Sequence, residues 1–409
     1  MPLTPDASVT DLFLELVAIP SPSRRERVVG ELIRAWLSHH GVAAEFDDAG
    51  ATNGSDAGNL IATVPGAPGG PTYLFVAHMD TVESGTPAVS PRVDQEGVIR
   101  SGGDTILGAD NKAAVAAVMR LCAALTGMPE AARPTVHAAF TCCEESGRMG
   151  AGLLAQSLLD GVDCAFSVDG ARPIGTVITR ALGQTSFVFV IHGRAAHAAA
   201  NPEAGISAIR VAAEIVAALP LGRQPGGGSA SVAAIVGGAI IDRLSPAGLG
   251  ATGVEPDADG QASVEAALAA TPTNSVPDRA LVRGEVRGYS VQEIEATVDE
   301  ISATVARISD AHGAGYEWRQ DRDRMVPPFP GSEGSRALAI VQAAAERVPG
   351  LRLVTEERQA TLEANYLAAK TDVVALASGG REPHQRSESI PAAELERLEA
   401  LLLAIVASS

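Results

Sequence analysis

Tyr73-Leu-Phe-Val-Ala-His78-Met-Asp80-Thr81-Val82 is an apolar, strand-like run that ends on His-x-Asp. An imidazole and a carboxylate together suit zinc, and a carboxylate two residues on can hold the second ring nitrogen and so fix the tautomer. One histidine after a strand is ordinarily a turn residue with its hydrogen bonds satisfied, but the same pattern recurs along the chain. Asp110 stands in Gly108-Ala-Asp110-Asn111-Lys112, where glycine gives way to an apolar helical pattern. Thr135-Val-His-Ala-Ala-Phe-Thr141 reads as a buried strand running into Cys142-Cys143-Glu144-Glu145. Cys164-Ala-Phe-Ser-Val168 is another short apolar run, and Asp169-Gly170 follows it. His384 comes after the apolar run 372–377 and the Gly379-Gly380 turn.

Alone, Asp110 is an ordinary helix N-cap. In this series it can bridge two cations, because metals held roughly 3.5–4 Å apart need a shared anion to offset their repulsion. Adjacent carboxylates point in different directions, so one of Glu144 and Glu145 can bind metal while the other carries protons. Each metal then owns one histidine and one carboxylate and shares Asp110. Open positions would hold a bridging water, whose pKa a zinc pair lowers enough to supply hydroxide near neutral pH.

Strand-like and helix-like runs alternate up to about residue 180, the pattern of a doubly wound α/β sheet. In such sheets sites collect beyond the carboxyl ends of strands, where His78, Glu144, Glu145 and Asp169 fall. Residues 9–18 have helical periodicity, and Ser23-Arg-Arg-Glu26 is a capping-box signature for a helix over about 24–38. From 182 the pattern changes to strand 184–192, helix 202–219, strands 230–236 and 280–287, helix 291–311 and strand 315–320. That βαββαβ order is the ferredoxin-like motif. It sets the boundaries 1–181 and 326–409 for a catalytic domain in two parts, with 182–325 inserted. Hinges are expected near Ala181-Leu182-Gly183 and over 325–330. Residues 239–272 read as a further insertion with a short helix at 263–270, and 392–406 as a closing amphipathic helix.

The 409 residues carry a net charge of −18 and only 3% aromatics. So acidic a chain does not suit a nucleic-acid or anionic-membrane surface. No positively charged, apolar leader and no run of ~20 apolar residues occurs, which implies a cytoplasmic protein without a membrane span. Cys122, Cys142, Cys143 and Cys164 all lie in apolar runs and read as reduced packing residues.

These residues resemble a known family, the di-zinc exopeptidases and amidohydrolases that include peptidase T, carboxypeptidase G, aminoacylase and succinyl-diaminopimelate desuccinylase. The matching stretches are His78-Met-Asp80-Thr-Val, Gly108-Ala-Asp110-Asn111-Lys112, Glu144-Glu145, Val168-Asp169-Gly170 and Gly379-Gly380-Arg-Glu-Pro-His384, with Leu16-Val-Ala-Ile-Pro20-Ser21-Pro22-Ser23 near the start. The resemblance spans nearly the whole chain and is strongest to peptidase T-like members. It implies that His78 and Asp169 complete one zinc, Glu145 and His384 the other, and Asp110 bridges them. It implies Glu144 as general base and Asp80 as the partner of His78. Many relatives have a second Asp after the bridging one, joined by a cis peptide; Asn111 stands there instead.

Gly193-Arg-Ala-Ala-His197 resembles the family's lid motif, in which the histidine reaches the partner subunit's site and stabilises an oxyanion. Asn274 and Arg287 match lid positions that bind the substrate's carboxylate or carbonyl, for which an arginine fork is suited. The resemblance therefore implies a zinc-peptidase catalytic domain interrupted by a lid and dimerisation domain, a homodimer, and two Zn2+ per subunit with Co2+ or Mn2+ as substitutes. The implied activity is hydrolysis of small peptides, of the aminopeptidase or tripeptidase kind. Dipeptidase, carboxypeptidase and N-acyl-amino-acid amidohydrolase activities are the alternatives, and a catalytically silent binding protein is the non-enzyme one. Thr361-Leu-Glu363-Ala-Asn365 departs from the Ser/Thr-Asp pair that relatives often carry.

Overall fold

The computed structural model describes residues 4, 6–82, 88–147, 149–241, 269, 271–322, 325–331 and 334–408. The chain divides into two compact units: Met1–Ala181 with Phe329–Ser409, and Leu182–Pro328. The second crossing lies a little beyond residue 325 because Gln184 and Val326 exchange both main-chain hydrogen bonds, which keeps 326–328 with the inserted unit. The expected helix at 263–270 lies outside the described residues apart from Ala269.

The first unit is built on an eight-stranded sheet in the order Ala44–Phe46, Leu60–Val64, Thr135–Thr141, Thr72–His78, Cys164–Val168, Val373–Leu376, Thr176–Ala181, Val354–Arg358. Its four central strands are mutually parallel. Leu60–Val64 and Thr176–Ala181 pair antiparallel with that centre, so the sheet is mixed. Thr72–His78 is buried from Tyr73 onward, because helices and loops cover both faces. Helix Ala109–Thr126 packs on it and against helices Val9–Val17 and Ala392–Val406. Its alanines permit that closeness: every residue from Ala113 to Met119 is buried. The same unit holds a three-stranded sheet of Pro91–Val93, Val98–Ser101 and Ser389–Pro391.

Parallel pairing decides where the site forms. The register places His78 opposite Thr141 and Val76 opposite Ser167, so the residues just past three strand ends emerge at one edge. Val373–Leu376 runs parallel beside Cys164–Val168 and leads to the Gly379-Gly380 turn and His384 at that same edge.

The second unit is a sheet in the order Gly222–Arg223, Ser229–Gly237, Arg279–Gly288, Gly183–His192, Gly315–Gln320, antiparallel throughout. Leaving out the two-residue edge strand, the βαββαβ elements give spatial order 2-3-1-4, the ferredoxin-like arrangement. Helix Val291–Ala311 starts at a capping box of Ser290 and Glu293 and buries Ile294, Val298, Ile301, Val305 and Ile308, the stripe that a 3.6-residue period places on one face. Phe187, Phe189 and Trp318 stack beneath it. The expected helix over 202–219 is a short turn Pro202–Ala204 followed by helix Ala208–Ala218, whose N-cap is Ser207.

The Ser23-Glu26 capping box does not form. Helix Arg27–His39 has Glu26 as its N-cap, without a side-chain capping bond, and both side chains turn toward the strand ends instead. No helix among the described residues is long and apolar enough to cross a membrane.

Candidate metal centre

Asp110 is not an N-cap. Gly108 takes that place with φ +78°, and Asp110 and Asn111, joined by a cis peptide, depart from helical geometry. The kink turns the Asp110 carboxylate to the strand-end edge. Its Oδ1 lies 3.2 Å from His78 Nε2, and its Oδ2 lies 3.5 Å from His384 Nε2. On the first side Asp169 Oδ1 is 3.9 Å from His78 Nε2; on the second, Glu145 Oε1 is 2.9 Å from His384 Nε2. His78, Asp110 and Asp169 thus form one group, and Asp110, Glu145 and His384 another, each with donor atoms within 4.8 Å of one another. Glu144 reaches His78 and Glu145 within the same limit and is buried.

Two observations fit a pair of cations. Glu145 Oε1 is buried and makes no hydrogen bond, although His384 Nε2 is 2.9 Å away, so the two atoms converge on a common point without bonding each other. The charge balance is the other. Four carboxylates, Asp110, Glu144, Glu145 and Asp169, gather around two imidazoles, an excess of negative charge that bound cations would offset. The Asp110 and Glu145 carboxylates beside it push His384 up to about 10. Burial alone would lower His78, but Asp110, Asp80 and Glu144 outweigh it and raise it well above the usual imidazole value. Burial would likewise raise Asp110, yet His384 and His78 hold it far below the ordinary carboxylate range.

Asp80 does more than the sequence suggested. His78 Nδ1 lies 3.0 Å from the Asp80 main-chain oxygen and 3.5 Å from its Oδ1, so the carbonyl is the nearer partner that leaves Nε2 facing the site. The carboxylate accepts the Glu144 and Glu145 main-chain N–H groups at 3.0 and 3.1 Å, and the Ser23 hydroxyl at 2.6 Å. Asn111 Nδ2 donates to the Val168 carbonyl, tying the helix start to the strand that delivers Asp169.

Three buried carboxylates escaped sequence reasoning. Glu388 accepts the main-chain N–H groups of Leu107, Gly108 and Asp110 at 2.9, 2.7 and 3.0 Å and so fixes the turn that carries Asp110. Burial pushes it up to about 7. Glu363 is fully buried, accepts the Thr141 hydroxyl at 2.5 Å through Oε1, leaves Oε2 without a hydrogen bond, and is likewise pushed up to about 7 by burial. Glu26 is the third. A polar stretch such as Gln385-Arg-Ser-Glu388 reads as exposed surface, and its only signal was nearness to His384. Lys112, also buried, donates to the Ile19 carbonyl and is lowered to about 7 by burial.

Within the second unit His197 and Asn274 are neighbours: Ala198 N–H donates to the Asn274 carbonyl, and His197 bridges to Ser275. His197 is exposed and its Nδ1 accepts N–H bonds from Ala199 and Ala200, which leaves Nε2 as a donor. Arg287 does not join them. It sits at the far end of strand Arg279–Gly288, opposite Gln184, eight positions from the Arg279 that pairs with His192. At about 3.3 Å per residue that is roughly 26 Å. Its guanidinium is bound to Glu285 at 2.8 Å.

The sequence profile of peptidase family M20/M25/M40 matches residues 74–408. An uncharacterized protein of Bacillus subtilis, YqjE, is 29% identical over 395 residues, covering 96% of each chain. The crystal structure of aminopeptidase PepT from Bacillus cereus superposes with a TM-score of 0.82 at 28% identity, covering 98% of this chain and 97% of that one. A tripeptidase from Staphylococcus aureus gives the same TM-score at 25% identity over 100% and 99% of the two chains. A profile match over most of the chain, together with the shared fold, makes this protein a hydrolase belonging to peptidase family M20/M25/M40.

Proposed function

We propose that the protein hydrolyses the peptide bond of small peptides as an aminopeptidase or tripeptidase, using two zinc ions held by His78, Asp110, Asp169, Glu145 and His384. The observation that carries this reading is the Asp110 carboxylate, which offers one oxygen to each of two imidazole-carboxylate pairs. The similarity to a PepT aminopeptidase and a tripeptidase along nearly the whole chain supports the substrate class. Mixed imidazole and carboxylate donors suit Zn2+ and also accept Co2+ or Mn2+. When bound, such a pair supplies Lewis acidity to a substrate carbonyl and makes a water acidic near neutral pH.

The chain's own residues do the rest. Glu144, held through its main-chain N–H by Asp80, takes the proton of the attacking water on its carboxylate and returns it to the leaving amine nitrogen. His197, with Nε2 as donor, supplies a hydrogen bond to a developing oxyanion, and Asn274 stands beside it; Arg287 binds a substrate carboxylate or carbonyl. Arg287 lies at the opposite end of its strand from Arg279, the end beside which the His197 loop begins, and this is in keeping with the two meeting one substrate from two copies of the chain in a homodimer formed through the second unit. Buried, unpaired cysteines agree with a reducing cytoplasm.

Glu144→Gln and Glu145→Gln separate the two roles. Glu144→Gln is expected to keep both metals and lose ~10²–10⁴-fold in kcat, whereas Glu145→Gln chiefly loses metal. Metal content and turnover are measured on the zinc-loaded protein against di- and tripeptides, N-acyl amino acids and N-blocked peptides. Loss of metal from folded Glu144→Gln protein reverses the pair, and turnover of N-acyl amino acids alone replaces the peptidase reading with an amidohydrolase one.

A further inference from the structure

Strand Thr135–Thr141 ends just before the Glu144-Glu145 pair, and Cys143 turns the chain with φ +56°, a region that L-residues rarely occupy. The main-chain N–H groups of Cys143, Glu144 and Glu145 therefore point out of the sheet ladder into a buried space, where each needs an acceptor. All three find a carboxylate. Asp80 takes Glu144 and Glu145, and Glu26 Oε1 takes Cys143 at 3.0 Å. Glu26 has no solvent exposure; the same oxygen also accepts the Arg24 N–H at 2.8 Å and the Cys143 thiol at 3.6 Å, and the other accepts the Ser55 hydroxyl at 2.7 Å. Ser23 completes the brace through Asp80, and the preceding residues are tied to the end of strand Thr72–His78, where Thr81 N–H donates to Ser21 O and Ser21 Oγ to Met79 O.

We propose that Glu26 is a positioning residue for catalysis: it fixes the turn at Cys143 and so sets where the Glu144 and Glu145 carboxylates point. A helix-capping role does not account for it, since Glu26 makes no side-chain capping bond and one of its oxygens reaches a loop more than a hundred residues away. The proposal rests on the roles given to Glu144 and Glu145 above. Removing the Glu26 carboxylate leaves the Cys143 N–H buried without an acceptor and frees the turn. An error of about 1 Å at a catalytic group costs on the order of 10²-fold in rate.

Two measurements test this. Backbone hydrogen exchange of the metal-free protein, followed on peptides spanning residues 141–146, reads the turn directly and needs no activity. Steady-state kinetics of the zinc-loaded protein read its consequence. Glu26→Ala is expected to speed exchange over 143–145 by at least ~10-fold and to lower kcat ~10–100-fold with KM within about threefold. Glu26→Gln keeps a carbonyl oxygen that can accept the two N–H groups, but its NH2 meets a Ser55 hydroxyl that already accepts the Ala57 and Gly58 N–H groups, so it is expected to recover most of the exchange protection and part of kcat relative to Ala. Val298→Ala, which loosens the core of the second unit, is the comparator and should leave exchange over 141–146 unchanged. If Glu26→Ala does not fold, Glu26→Asp, too short to span Cys143 and Ser55 together, is expected to show the same separation of kcat from KM. Unchanged exchange and kcat in the truncated variant overturn the proposal, as does a Gln variant that falls as far as Ala. If the wild-type protein cleaves no peptide, the functional reading fails while the exchange result still decides whether Glu26 fixes the turn.

Discussion

Replacing Glu363 by Gln is expected to stabilise the metal-free protein at alkaline pH and to leave it unchanged near pH 4. Glu363 is fully buried and has one hydrogen-bonded oxygen and one orphan, so its charged form is penalised and its pKa rises from 4.5 to about 7. The sign follows from proton counting. Between these two values the folded chain holds a proton that the unfolded chain has lost, so stability is greatest below 4.5 and declines as pH rises through 7. A shift of roughly 2.5 pH units at 1.36 kcal/mol each amounts to about 3 kcal/mol of stability lost across that window. Gln has the same shape, accepts the Thr141 hydroxyl and does not titrate. The difference between variant and wild type, taken from urea unfolding of chelator-treated protein, should grow from near zero at pH 4 to about 3 kcal/mol at pH 8.5. A difference that stays flat across pH would refute the argument, since Glu363 would then be neither desolvated nor titrating in this range.

Zinc binding should release protons. His384, raised to about 10, carries a proton at pH 7.5 that it must lose to coordinate, and His78 is raised in the same direction, so at least about one proton is expected to leave per metal pair. Calorimetry in buffers of different ionisation enthalpy measures the number, apparent affinity should climb with pH up to about 10, and no release at pH 7.5 would contradict the geometry. Mixing inactive His197→Ala protein with inactive Glu144→Gln protein should restore part of the activity through hybrid dimers. A fully active monomer at working concentration would sink that idea.

The strand runs before His78, Glu144 and Asp169 and the glycine turns before Asp110 and His384 are local features, and local periodicity and turn chemistry are what a sequence states. For that reason the five candidate ligands, the base candidate and the ferredoxin-like insert were all legible. The closing helix Ala392–Val406 and the strands Thr135–Thr141 and Cys164–Val168 agree with their expected ends. What the chain alone left undecided were contacts whose partners are far apart in sequence. Ser23 and Glu26 have the spacing of a capping box, and nothing local distinguishes that from two side chains reaching Asp80 and Cys143. Glu388 finds the turn at residues 107–110 only because strand Ser389–Pro391 pairs with Val98–Ser101. The antiparallel register of Arg279–Gly288 sends Arg287 away from His197, a separation no motif encodes. Residue types and local spacing determined which groups could do the chemistry; long-range pairing and burial decided which of them meet, because a buried N–H or carboxylate takes whatever partner the fold brings within reach.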